Sequence, residues 1–261
     1  MFLSTMPLWL SGIILVGMTT LAAMSGPALI RRRIHLDRLR INNEVAGFKF
    51  ATVGVLYAVL LAFAVIVVWE KFAEAERTVA KEAGAVATLY RLAGGLDDEA
   101  AKAFRRNLTE YSKAAINEDW PAMEQGRDSA HVREALDRAY ATILDLHPTE
   151  QRGAAIFNEV LRQLDLVTQA RRDRLVTAAG TVPGVLWLVL FGGALLTISF
   201  TFFFGTQNVV VQTLMTGMLS LLIFAGLFVI VAIDRPFAGS VKVQPEALHF
   251  VLDEFGEPKR P

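Results

Sequence analysis

Residues 48–71, FKFATVGVLYAVLLAFAVIVVWEK, decide the fold. Between Phe50 and Trp69 there are twenty consecutive residues without a charged side chain. As a helix rising about 1.5 Å per residue, that run crosses the roughly 30 Å hydrocarbon core of a bilayer. A soluble core helix rarely needs so long an uncharged run. Lipid offers no partner for a free backbone N–H or C=O, which selects the helix. Three further runs of similar length flank it, giving Pro7 to Ile30, Phe48 to Trp69, Val185 to Phe204 and Val209 to Ile233 in chain order. Trp9, Trp69 and Trp187 stand near run ends, where interfacial anchors sit. Small residues at Ala22-Ala23-Met24-Ser25, toward the end of the first run, loosely suit a cleavage site, but no Lys or Arg precedes the run, so it reads as a retained span rather than a cleaved signal.

Hydrophobic residues make up 53% of the chain, above the usual share for a soluble domain. Acidic and basic residues balance at 26 each, so nothing points to a nucleic-acid partner. The charges are segregated: residues 1–30 and 182–233 hold almost none, whereas 70–180 is dense in them. There are no cysteines, which excludes disulfides and thiolate metal sites.

The segment 70–180 is rich in Ala, Leu, Glu and Arg, with breaks at Gly94-Gly95, Trp120-Pro121, Gly126 and His147-Pro148. Helices are expected near 70–92, 97–117, 129–146 and 149–180, with Asp97 and Thr149 as N-caps. An apolar stripe runs through Ala155, Ile156, Val160, Leu161, Leu164, Leu166 and Val167. The first and last of these helices are expected to run on from the second span and into the third. The chain is therefore expected to be all-α. Residues 1–69 form two spans with a basic connection, 70–182 a helical extramembrane bundle, 183–233 a hairpin of two spans turning at Gln207, Asn208 and Gln212, and 234–261 an extended tail.

The connection after the first span carries Arg31, Arg32, Arg33, Arg38 and Arg40, interleaved with Ile34, Leu36, Leu39 and Ile41, which suits a segment lying on the membrane surface. Arginines in a short loop predict a cytoplasmic position, and so a middle domain outside the cytoplasm. Lys71, Arg77, Lys81, Arg171, Arg172 and Arg174 at the domain's membrane ends nearly balance that count.

No catalytic constellation is present. His35, His131, His147 and His249 lack metal-ligand spacing, and there is no P-loop, GxSxG or dinucleotide fingerprint. The carboxylates of the middle domain read as a solvated helix face. No enzyme activity, cofactor or metal is expected.

The second span is the informative one. Gly47, Ala51, Gly54, Ala58 and Ala62 step by three and four to make a smooth face for close helix approach. Such a face serves packing inside one subunit or packing around an oligomeric axis. Asn42, Asn43 and Glu44 precede the helix, and Glu70 and Lys71 end it. Lys49 can snorkel to headgroups, and Tyr57 brings a mid-helix hydroxyl that needs a partner. None is a buried intramembrane charge of the kind a proton relay needs.

The run Phe50-Ala51-Thr52-Val53-Gly54-Val55-Leu56-Tyr57-Ala58-Val59-Leu60-Leu61-Ala62-Phe63, ending Trp69-Glu70-Lys71-Phe72, resembles the pore-lining second helix of bestrophins. Ile233-Asp234-Arg235-Pro236-Phe237-Ala238-Gly239 is similar to their Asn-Pro-Phe-Gly segment. The order of two spans, a helical domain and two spans matches as well. With the opening Asn42-Asn43-Glu44-Val45-Ala46-Gly47, the chain from about Asn42 to Phe237 resembles bacterial bestrophin-like membrane proteins.

That resemblance implies an oligomeric anion channel with its middle domain in the cytoplasm, the opposite of what the arginine loop predicts. Aligned on Trp69, the family's hydrophobic neck falls at Ala51, Val55 and Val59, with Phe63 one turn on. The chain departs from the family in three ways. Val68 replaces the second Trp, the neck residues are smaller than the family's Ile and Phe, and no acidic cluster follows Phe237 to support calcium gating.

The expected function is an oligomeric channel for small anions in the inner membrane, a tetramer or pentamer in lipid. Ala51, Val55, Val59 and Phe63 line the pore; Gly47, Gly54, Ala58 and Ala62 pack; Asn42, Asn43, Glu44 and Glu70 mark the pore ends; Asp234, Arg235, Pro236 and Phe237 follow the fourth span. The alternative is a non-conducting scaffold or sensor whose helical domain binds a partner.

Overall fold

A computed structural model of the chain describes residues 7–41, 43–180 and 182–256. The described residues contain helices and no strand. Helix α1 (Leu8–Arg33) holds a π-helical turn at Ile13–Met18. It is followed by α2 (Leu36–Ile41), α3 (Asn43–Leu92), α4 (Asp98–Ala114), α5 (Trp120–Glu124), α6 (Ala130–Leu144), α7 (Gln151–Thr177), α8 (Gly184–Thr201), α9 (Val209–Ile233) and α10 (Glu246–Gly256). Four of these helices are long and apolar enough to cross a membrane: α1, the first part of α3, α8 and α9. The protein is a multi-pass, all-α membrane protein.

The chain divides into two compact units. Among the described residues, one lies within 7–70, 182–234 and 239–241, and the other within 71–180, 235–238 and 242–256. Helix α3 is one continuous helix of 50 residues that contributes to both. The expected run-on into the third span does not occur. Gly180 adopts φ 103° and Pro183 precedes α8, so the chain breaks between Thr177 and Gly184.

In the membrane unit, glycines receive large side chains from neighbouring helices. A Cβ added at Gly217 would lie 2.9 Å from Met24, one at Gly193 2.5 Å from the Tyr57 ring and one at Gly226 3.0 Å from Leu61. Gly26 faces the Phe202 ring in the same way. Lipid tails are as apolar as the side chains they replace, so close fit rather than the hydrophobic effect drives this association.

The second unit is held by a conventional apolar core that includes Val86, Leu89, Phe104, Leu108, Val132, Ile143, Val160 and Leu164. At its centre lies a cluster of charges. Glu82, Asp119 and Arg174 are fully buried, and Arg171 nearly so. Arg174 donates to both oxygens of Glu82 (Nε to Oε2 2.8 Å, Nη2 to Oε1 3.0 Å), and its Nη2 also reaches Asp119 Oδ2 at 3.3 Å. Arg171 grips Asp119 in the same two-pronged way, at 2.8 and 3.1 Å. Tyr111 Oη donates to Glu82 at 2.7 Å, the Ser129 amide donates to Asp119 at 2.9 Å, and the Arg174 guanidinium lies 4.3 Å over the Trp120 ring. Two carboxylates and two guanidinium groups cancel in charge, and this balance makes their burial tolerable. Burial, then the charge of Glu82, pushes the Tyr111 hydroxyl well above its ordinary value. Burial, the largest single influence on Arg174, acts to lower it, but the charge and hydrogen bonds of Glu82 together with the charges of Tyr111 and Asp119 outweigh it, and the net shift is upward.

These residues correct two expectations. Glu82 and Asp119 do not belong to a solvated face, and Arg171 and Arg174 are spent on internal pairs rather than standing as free membrane-end charges.

Three local expectations also change. The chain does not break at Trp120-Pro121, because a π turn at Ala115–Asp119 carries α4 into α5 and so lies just before Pro121, whose missing N–H would interrupt a regular α-helical ladder. The residue before α7 is Glu150 rather than Thr149. Nor is the segment after Asp234 extended throughout. Val243 N donates to Pro236 O at 2.7 Å, Trp120 Nε1 donates to Val243 O at 3.1 Å, and α10 buries Leu248 and Val251 and stacks Phe255 on Tyr90. Apolar residues at helical spacing behind Pro245 supply the burial that an isolated tail would lack.

Glu82→Leu strands Arg174 with half its partners in an apolar setting. It should cost about 3–5 kcal/mol of the domain's stability, seen as a drop in thermal midpoint in detergent. The double change Glu82→Leu with Arg174→Leu should recover most of that loss; a double variant as unstable as the single would show that the pair is not the cause.

Candidate functional site

Helix α3 begins as one of the four spans, and its two sides differ. One side packs on its own chain. Phe50 meets Phe200 and Phe204 at centroid distances of 5.9 and 5.6 Å, and Tyr57 Oη donates to the Leu190 carbonyl at 3.0 Å. Leu61 fills the space left by Gly226, and Val68 is buried. This hydrogen bond satisfies the Tyr57 hydroxyl inside the span and fixes α3 against α8.

The other side is bare. Ala51 is exposed, and Val55, Val59 and Phe63 are 63%, 50% and 64% exposed. These four step along the helix one turn at a time. Glu44 lies seven residues before Ala51 and Glu70 seven after Phe63, two turns beyond each end on the same side. Both carboxylates are exposed, and neither is in an ion pair among the described residues. The surface is thus an apolar strip closed by an acid at each end.

Of the expected packing glycines, only Gly47 comes near another part of the chain: a Cβ there would stand 4.0 Å from Phe204, in the turn after α8. A Cβ at Gly54 would meet nothing within 4 Å, and Ala58 and Ala62 are exposed. Intrachain packing uses the glycines of α1, α8 and α9 instead, leaving Gly54, Ala58 and Ala62 without a partner in their own chain.

The polar residues at the start of α3 separate. Asn42 lies outside the described residues. Asn43 is a structural clamp: its Nδ2 donates to the Gly205 carbonyl at 2.9 Å, and its Oδ1 accepts from the Gly205 amide at 2.8 Å. Gly205 is required there, since a Cβ would fall 2.6 Å from the Arg40 amide nitrogen. The four residues after α9 also separate. Asp234 Oδ1 accepts from the Val182 amide at 2.8 Å. Phe237 is fully buried, edge-on to Trp120 at 6.0 Å. Pro236 offers its carbonyl to Val243. Arg235 buries its Nε. The contacts of Asp234, Pro236 and Phe237 are structural ones. No group of three or more His, Asp or Glu able to hold a metal occurs among the described residues.

The Bestrophin-like domain family model matches residues 17–248. A search of curated proteins finds no match. Among solved structures, a mutant bacterial bestrophin homolog from Klebsiella pneumoniae superposes with a TM-score of 0.72 at 14% identity, over 92% of this chain and 97% of that one. Another structure of the Klebsiella pneumoniae homolog gives a TM-score of 0.67 at 17% identity, over 91% and 94%. A mutant membrane protein gives 0.70 at 18% identity, over 94% and 95%. At these identities the structures establish a shared fold, and the family match covers most of the chain. The chain belongs to the bestrophin-like family, a family of channels.

Gly193→Val should drive its side chain into the Tyr57 ring and lower the thermal midpoint in detergent. Adding Tyr57→Ala to that variant should restore part of the loss, giving a favourable coupling in the double-mutant cycle of about 1 kcal/mol or more. Strictly additive effects would deny the contact.

Proposed function

We propose that this bestrophin-like protein is an oligomeric ion channel of the inner membrane, with the bare side of α3 turned to a central pore. The observation that carries the reading is the one-sidedness of that helix. A span of a membrane protein buries one side on its own chain and leaves an apolar strip with acids at both ends, which a ring of identical subunits would close into a conduit. Val55, Val59 and Phe63 form the constriction, with Ala51 at its wider end. Gly54, Ala58 and Ala62 let neighbouring copies approach closely. Family membership supports small anions as the conducted ions. An apolar constriction passes ions by its width and by how readily it wets rather than by binding them, so small side chains at 51, 55 and 59 favour conduction. Glu44 and Glu70 lower the local anion concentration at the two mouths and tune the current.

Purified protein reconstituted in liposomes should pass chloride, and Val59→Ala should raise the single-channel conductance severalfold by widening the constriction. Glu44→Gln with Glu70→Gln should raise the chloride-to-sodium permeability ratio. Particles in detergent should contain a tetramer or pentamer, and Ala58→Trp should break them into smaller species. A monomer or dimer with no flux above that of empty liposomes would overturn the reading and leave the scaffold alternative.

A further inference from the structure

The turn joining α8 to α9 lies against the arginine-rich segment of the same unit. Arg31 Nη2 donates to the Thr206 carbonyl, to Thr206 Oγ1 at 3.1 Å and to Gln212 Oε1 at 2.9 Å. Gly205 sits against the backbone of Arg40. Residues 31–41 carry five arginines and one acid, Asp37. None of the five guanidinium groups pairs with a carboxylate among the described residues. Arg32, Arg33, Arg38 and Arg40 are exposed. Their positive charge is therefore uncompensated at the end of the spans.

Beside this turn lies a half-open cavity of about 450 Å³, walled chiefly by Phe50, Phe204, Met215 and Leu219. The polar groups on its walls are already used. Gln212 Nε2 donates to the Phe204 carbonyl at 2.7 Å, and Thr201 and Thr216 bond each other at 3.2 Å. The cavity thus offers hydrocarbon contact and no unmet hydrogen bond. Its α3 residues, Gly47 and Phe50, sit about 80–140° round the helix from Val55, so it lies away from the strip at Val55, Val59 and Phe63.

We propose that this is a binding site for an anionic phospholipid, with one acyl chain in the slot between α3, α8 and α9 and the phosphate held by the arginines of residues 31–40. Charge complementarity selects an anionic over a zwitterionic headgroup. The slot distinguishes a seated lipid from one merely attracted to a basic surface. The site does not depend on the chain conducting ions.

The test uses the full chain extracted from bilayers of equal parts phosphatidylglycerol and phosphatidylcholine, with retained lipid counted by native mass spectrometry. Phosphatidylglycerol should be retained in preference. Arg32→Gln with Arg33→Gln and Arg40→Gln should lower its retention about tenfold or more. Leu219→Trp, which fills the slot, should do the same with every arginine in place. Gly47→Leu, where an added Cβ meets only Phe204 at 4.0 Å, serves as the milder filling variant if the tryptophan disturbs the fold. Equal retention of both lipids, or of phosphatidylglycerol unchanged by the arginine changes, would overturn the proposal. So would retention unchanged in both slot-filling variants, since the lipid would then be held by surface charge alone.

Discussion

Hydrocarbon gives a peptide group nothing to bond with, and the structure of this protein follows from how its second span meets that constraint. A helix satisfies its own backbone and leaves only side chains to decide what surrounds it. In α3 the side chains divide by face. Phe50, Tyr57, Leu61 and Val68 engage the same chain, while Val55, Val59 and Phe63 are half or more exposed. Even the one mid-span hydroxyl obeys the constraint, since Tyr57 finds the Leu190 carbonyl of α8. The remaining face is free for identical neighbours or for a conduit, and the channel reading rests on that freedom.

The two units solve the problem of cohesion differently because their solvents differ. In lipid, burying apolar surface gains little, so the membrane unit relies on glycines that admit Phe202, Met24, Tyr57 and Leu61. In water, the helical domain gains from burial and can also carry a buried, charge-balanced network at its centre. Glu82, Asp119, Arg171 and Arg174 join α3, α7 and the π turn before α5, with Trp120 stacked on Arg174. Trp120 in turn holds Val243 and Phe237, so the network helps fix the segment that follows the fourth span within this domain.

The four spans were legible in the sequence because a long uncharged run has few other meanings, and the continuous α3 was legible because helix-forming residues follow Trp69 without a break. The buried charges were not read, although the pattern held them. Glu82 stands in register with Val79, Val86 and Leu89, and Arg171 and Arg174 with Val160, Leu164, Val167 and Ala178, so charged residues occupy core positions of two helices. Composition alone assigned them to solvent. In α10, Leu248, Val251 and Phe255 have helical spacing after Pro245, a pattern hidden by the short length of the segment. For the site, the small-residue face of α3 was legible, but what it faces was not. Spacing cannot distinguish Gly47, which meets Phe204, from Gly54, which meets nothing. Asn43 likewise looks like any polar residue at a helix start until its two bonds to Gly205 are seen.

The central claim is that Val59 faces a water-filled pore rather than lipid or a neighbouring helix. The chain has no cysteine, so a single Val59→Cys change provides a unique probe. In reconstituted liposomes a small, charged, water-soluble thiol reagent should label Cys at this position and block ion flux. An unlabelled thiol in a conducting protein, with flux unaffected by the reagent, would place Val59 outside the pore and contradict the account.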